Sequence, residues 1–256
     1  RIIAIDSRNA SAYFSLGLAL QSLKRAQEAE AAYRAALGIN PGYMKAVAQL
    51  TKLLMEQNRL VEAREMLEVA ITHTPQDGLL HYNLGLVLVR LGDGDAAFHA
   101  FETAIRINPR LSEAHFHLGV MYIGQNRYDA AVASLVRATS LDPRNPDIAR
   151  KLAQAYVESG SVTEAVRVYE QMITTNPVDA DAHTCLGMCR LLLGDFPGGW
   201  PEYEWRLRTQ YMAVQPTAIP RWNGEPIVGR TVLLLAEQGF GDAVQFVRYA
   251  REVKAR

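Results

Sequence analysis

This 256-residue sequence lacks an excess of either charge, a long apolar run and a cysteine framework, and each absence removes a class of function. Lys+Arg and Asp+Glu both total 27, so the net charge of zero leaves no electrostatic footprint for nucleic acid or an anionic membrane. The longest apolar runs, such as Val232 to Ala236, stop far short of the ~20 residues that span a bilayer. No charged segment followed by an apolar one opens the chain, so a cytoplasmic location without membrane insertion is expected. The two cysteines, Cys185 and Cys189, stand at i and i+4 on a predicted helix. A disulfide there needs unusual geometry and a zinc ion finds no further ligands, so free thiols and no metal site are expected. What remains, 49% hydrophobic and 21% charged, is ample for a folded core.

What is present is a period. Pro41, Pro75, Pro109, Pro143 and Pro177 stand 34 residues apart, and Leu16, Leu50, Leu84, Leu118, Leu152 and Leu186 keep the same step. In register run an alanine series (Ala29, Ala63, Ala97, Ala131, Ala165) and a small-residue series (Gly17, Thr51, Gly85, Gly119, Ala153, Gly187). Self-similarity at this length marks a helix-turn-helix unit that buries its apolar face only against its neighbours, which predicts an all-α solenoid.

The unit from Gly78 to Leu111 shows how the pattern works. HYNLGLVLVR forms the first helix, Gly92-Asp93-Gly94 the turn, and Asp95 to about Asn108 the second helix. Pro109 disfavours helical geometry at Asn108 and turns the chain toward the next unit. Gly85 and Ala97 are small because the two helices approach closely there, while Leu84, Leu88, Phe101 and Ala104 lie on facing stripes as core. The opening residues align with Arg137 to Asn145, the tail of a unit, and no initiator Met is present, so the chain is expected to be a piece of a longer protein.

Tyr13, Leu16, Gly17, Leu20, Ala29, Tyr33, Ala36 and Pro41 resemble the tetratricopeptide repeat (TPR) consensus, and the match covers roughly residues 10 to 210. The resemblance implies a right-handed superhelix whose concave wall is lined by the first helix of each unit. The expected organisation is a tail of a preceding repeat over 1–9, five units over 10–177, a degenerate sixth unit over 178–211 with Gly199 in place of alanine, a linker over 212–230, and a further βα unit over 231–256.

Read at the consensus concave places, the groove offers Phe14, Leu18, Met55, Tyr82, Asn83, Leu86, Val89, Phe116, His117, Val120 and Ile123. Units three and four contribute six apolar side chains, Tyr82, Leu86, Val89, Phe116, Val120 and Ile123, which predicts an apolar partner-binding groove. The alternative is that some of these pack against the neighbouring unit. A carboxylate clamp fits poorly, since Leu79, Tyr82 and Leu86 stand where cations or amides are needed, and an asparagine ladder is reduced to Asn83. His81, His115 and His183 occupy the consensus aromatic place and are expected to be packed rather than catalytic; His115 and His117, at i and i+2, diverge on the helix.

After Gln210, prolines and glycines break helix, and TVLLLA (Thr231 to Ala236) reads as a buried parallel strand. Gly239 and Gly241 follow, a loop whose backbone N–H groups would favour a phosphate or other anion at the start of the helix AVQFVRYAREVKAR, and Asp242 fits a helix cap. The succession GDFPGGWPEYEWR, PRWNGEP and AEQGFGDAVQFVRY resembles the junction in bacterial TPR-containing glycosyltransferases of GT-B, heptosyltransferase-like type. That resemblance implies a catalytic role for Asp242 near an acceptor, and a nucleotide sugar for the full-length protein, with no cofactor in this fragment.

Three functions follow as expectations. The first is an interaction module whose groove holds a protein or peptide and recruits it to a glycosyltransferase domain. The second is a non-catalytic assembly scaffold, in which the repeats mediate self-association into a homo-oligomer or organise a complex. The third is a sugar-transfer enzyme acting on lipid or polysaccharide.

Overall fold

The structure, a computed structural model, describes residues 8–209. Over them the backbone forms twelve α-helices and one short 3-10 helix, with no strand among the described residues. The helices are α1 Ala10–Ser22, α2 Ala26–Ile39, α3 Met44–Glu56, α4 Leu60–His73, α5 Gly78–Leu91, α6 Gly94–Ile107, α7 Ser112–Gly124, α8 Tyr128–Leu141, α9 Pro146–Glu158, α10 Val162–Thr175, α11 Ala180–Leu192 and α12 Phe196–Tyr203; the 3-10 helix is Glu204–Arg208. The chain divides into two compact units between Thr175 and Asn176. The expected strand Thr231–Ala236, the linker before it, and Gly239, Gly241 and Asp242 lie outside the described residues.

Within the first compact unit the helices pair as hairpins, α1 with α2 through α9 with α10. First helices of neighbouring repeats also touch, α3 with α5 and α7 with α9. The small-residue series explains the spacing. A methyl group on Gly85 would stand 2.6 Å from the Phe101 ring, and one on Gly119 would stand 2.5 Å from Leu135. At Gly17 the ring of Tyr33 fills the same place. Each glycine therefore admits a large side chain sixteen positions on, and Tyr33, Phe101 and Leu135 are fully buried as a result. Burial of that kind contributes roughly 1.5–3 kcal/mol per side chain.

The turn inside each repeat carries a second periodic feature. Lys24, Asn58, Gly92, Asn126, Gly160 and Gly194 all adopt positive φ, between 58° and 82°. A left-handed residue ends the first helix so that the second can fold back, and glycine or asparagine tolerates this conformation where lysine is strained. Between repeats the stop is the one expected from proline: Asn108, before Pro109, is extended at φ −130° and ψ 92°. Arg59, which precedes α4, joins Glu30 at 2.6 Å and Glu62 at 2.6 Å, and Arg34 on α2 joins Glu30 at 2.9 Å and Glu62 at 3.2 Å. Hydrogen bonds from Arg59, with Arg34 beside it, hold the Glu30 carboxyl below its ordinary range.

The described residues of the second compact unit form α11, α12 and the 3-10 helix. Here the glycine faces main chain: a methyl group on Gly187 would run into the Tyr203 backbone nitrogen, and one on Gly199 would stand 2.8 Å from Leu191. Glycine at both 187 and 199 thus lets the two helices close to backbone contact. His183, 7% exposed, stacks on Trp205 at 3.9 Å and 7°. Its Nδ1 meets Glu202 Oε2 at 2.5 Å and its Nε2 meets the Pro177 carbonyl at 3.0 Å. Arg208 lies over the Trp205 ring at 4.1 Å.

Candidate functional site

The site lies on first helices. Helix α5 carries Tyr82, α7 carries Glu113, Phe116 and His117, and α9 carries Asp147, Ile148, Arg150 and Lys151; together with Asn145 these line a cavity of about 370 Å³ within the first compact unit. Rings on α5 and α7 meet along this wall. Tyr82 and His117 are 5.8 Å apart between ring centroids, and His117 stacks on Phe101 at 5.3 Å and 9°. Phe116 abuts His117 edge-on at 5.2 Å.

Burial and charge set the electrostatics of this wall. Burial pushes the Tyr82 hydroxyl up to about 12, with the Glu113 carboxylate adding to the shift. Burial pushes His117 below its ordinary value while the Glu113 charge pulls it back. Both aromatic residues therefore sense Glu113, although it stands on the exposed rim. Glu113 accepts a hydrogen bond from the Ser112 hydroxyl at 3.0 Å. Neither it nor Asp147 enters an ion pair among the described residues. Lys151 donates to Gln154 at 3.0 Å, one turn farther along α9.

The expected groove residues divide. Tyr82, Phe116 and His117 line the cavity, although Tyr82 also packs beside the Leu88–Phe101 core, and Phe116 beside Leu135 and Leu152. Leu86 and Ile123 pack against those same two cores, and Phe14 and Met55 lie against the core of the first two repeats. Asn83 and Val120 are half-buried and lie outside the cavity. Leu18 and Val89, 41% and 46% exposed, stand apart from it. The groove floor is thus aromatic rather than uniformly apolar, and its rim is charged, a feature that reading the fifth, ninth and twelfth places leaves out. The signal was legible at the second place, where Glu113, Asp147 and Asp181 recur in successive units.

The histidines at the aromatic place share one structural task. His81, His115 and His183 each direct Nε2 to the carbonyl of the proline six residues earlier, Pro75 at 3.1 Å, Pro109 at 3.2 Å and Pro177 at 3.0 Å. An N–H donated there braces the loop that enters the helix. Cys185 and Cys189 form no disulfide, and burial pushes Cys189 up to about 11 with Cys185 adding to it, so neither geometry nor ionisation prepares Cys189 as a nucleophile. No cluster of three metal-ligating side chains occurs among the described residues, and none of the described helices is long and apolar enough to cross a membrane.

Comparison with known proteins agrees with this construction. The tetratricopeptide repeat family model matches residues 20–84 and 122–189, and a second tetratricopeptide repeat model matches 82–146. No curated protein sequence matches the chain. Among solved structures, TTC0263, a thermophilic TPR protein of Thermus thermophilus, is 25% identical with a TM-score of 0.54, over 72% of this chain and 100% of that one. YrrB, described as a TPR protein with an unusual peptide-binding site, is 24% identical with a TM-score of 0.54, over 71% and 93%. The pilF protein of Pseudomonas aeruginosa is 18% identical with a TM-score of 0.67, over 80% and 93%. With the family model covering more than half of the residues and the helix hairpins recurring on its period, the chain belongs to the tetratricopeptide repeat family of protein–protein interaction modules.

Proposed function

We propose that this chain binds an extended segment of a partner protein, seated in the cavity of the third, fourth and fifth repeats. The observation that carries the reading is the open aromatic wall of Tyr82, Phe116 and His117 on two successive first helices, rimmed by four charged residues of α7 and α9. Side chains of a partner would bury against it at roughly 1.5–3 kcal/mol each, and ordering costs bring the net affinity toward micromolar. The test is binding of a nine-residue peptide library to the purified 256-residue chain and to a Tyr82→Ala/Phe116→Ala variant that keeps its helical circular dichroism. Peptides retained by the wild type and lost by the variant support the site; equal retention removes it.

A finer reading is that the module recruits its partner to a glycosyltransferase-like domain in which Asp242 serves transfer and Gly239 and Gly241 cradle phosphate. It is supported by the residue succession from Gly194 to Arg251 alone. Its test is transfer of a labelled sugar from a nucleotide sugar to the bound segment by the full-length protein, abolished by Asp242→Ala. Unchanged transfer would reduce Asp242 to a helix cap.

A further inference from the structure

The cavity joins two features that a purely apolar groove does not need: three half-buried aromatic side chains in its lining, and two carboxylates that enter no ion pair. Glu113 and Asp147 occupy the second position of α7 and α9. Their favourable interaction with the helix N-terminus accounts for acidity there. It does not account for Glu113 being close enough to the rings to shift both Tyr82 and His117, nor for both carboxylates standing free of ion pairs beside Arg150 and Lys151 in the same cavity. A cation held over aromatic faces is attracted by the ring quadrupole, and a carboxylate at the rim completes such a seat. Lys151, in the same lining, donates to Gln154 on its own helix.

Building on the peptide-binding reading above, we propose that the occupant of this cavity is a partner segment carrying a lysine or arginine next to an aspartate or glutamate. The basic side chain seats between Tyr82, Phe116 and His117 with Glu113 and Asp147 at its head, and the neighbouring acidic side chain faces Arg150 and Lys151. Charge complementarity selects this pair over either sign alone: a lone cation meets Arg150 and Lys151, and a lone anion meets Glu113 and Asp147. Neutral His117 is part of the seat, because a protonated ring would repel the incoming cation.

The test is positional selection from the same nine-residue library on the wild-type chain, on Glu113→Gln/Asp147→Asn and on Tyr82→Ala/Phe116→Ala, each verified by circular dichroism. The expected result is enrichment of adjacent basic and acidic residues on the wild type. On Glu113→Gln/Asp147→Asn the basic preference disappears and affinity for the selected peptide falls about tenfold. Enrichment of apolar peptides without charge preference, equally on wild type and the charge variant, would overturn this inference and leave the peptide-binding reading standing. Enrichment of acidic peptides alone would overturn it as well. No enrichment over the aromatic variant would overturn both.

Discussion

The third repeat and the sixth hold the same register and use it in opposite ways. At Gly85 the space that a side chain would occupy is taken by the buried Phe101 ring, whereas at Gly187 it is taken by the main chain of Tyr203. In the third and fourth repeats the aromatic residues Tyr82, Phe116 and His117 line an open cavity. In the sixth, His183, Trp205 and Arg208 stack on one another and close over themselves, while Leu192, Phe196 and Trp200 are 69%, 57% and 54% exposed. The periodic positions therefore fix how two helices meet, and the residues between them decide whether a face is offered or consumed. The proposed binding site is built from places the period leaves free.

Phe101→Ala should break the regular side of this comparison most strongly. The ring is fully buried between Gly85 and the His117 stack, so the variant loses about 3–5 kcal/mol. Because repeats couple chiefly to their neighbours, hydrogen exchange should accelerate over 78–141 and remain near wild type in residues 176–209. Uniform acceleration across both segments would show that the repeats do not behave as separate regular and degenerate parts.

On the degenerate side, Gly187→Ala should cost about 1–3 kcal/mol despite the gain in helix propensity, because Tyr203 backbone cannot rotate away as a side chain can. The expected signature is a shifted Trp fluorescence spectrum and early melting of 180–208. Thermal stability equal to wild type would mean that the two helices of the sixth repeat are not held at backbone contact.

The aromatic wall makes a pH-dependent contribution whose sign follows from burial. His117 sits below its ordinary 6.5 in the folded chain, so the unfolded state takes up the proton first. Its stabilising effect is full above pH 6.5 and is lost as pH falls from there through the lower folded value. Thermal midpoints measured from pH 8 to pH 5 should decline more steeply for wild type than for His117→Phe. Parallel curves would place His117 in water rather than against Phe101.

The smallest effect concerns the turn series. Lys24 adopts φ 59° where other repeats have Asn or Gly, so Lys24→Gly should raise stability by roughly 0.5–1 kcal/mol. A lower midpoint would indicate that the lysine side chain makes a contribution of its own.

The helix hairpins, the close approach at Gly17, Gly85 and Gly119, and the stop before each proline were readable because each depends on one residue type recurring at one step. The left-handed series was harder to read, since lysine, asparagine and glycine serve the same conformation and only the position repeats. The surroundings of the candidate residues were legible only in part. Tyr82, Phe116 and His117 emerged from their concave places, but sequence spacing does not say which neighbour covers a side chain, and Phe14, Met55, Leu86 and Ile123 pack onto cores. Glu113 and Asp147 were passed over because the groove was read at the fifth, ninth and twelfth places, and both stand at the second.

The most direct measurement is calorimetric titration of the tightest library peptide into four proteins: wild type, Tyr82→Ala/Phe116→Ala, Glu113→Gln/Asp147→Asn and Trp200→Ala. The expected result is a loss of about 100-fold or more for the aromatic variant, about tenfold for the charge variant, and unchanged affinity for Trp200→Ala. Affinity that survives the first two and collapses with Trp200→Ala would place the binding surface on the sixth repeat and contradict the assignment of the open cavity as the site.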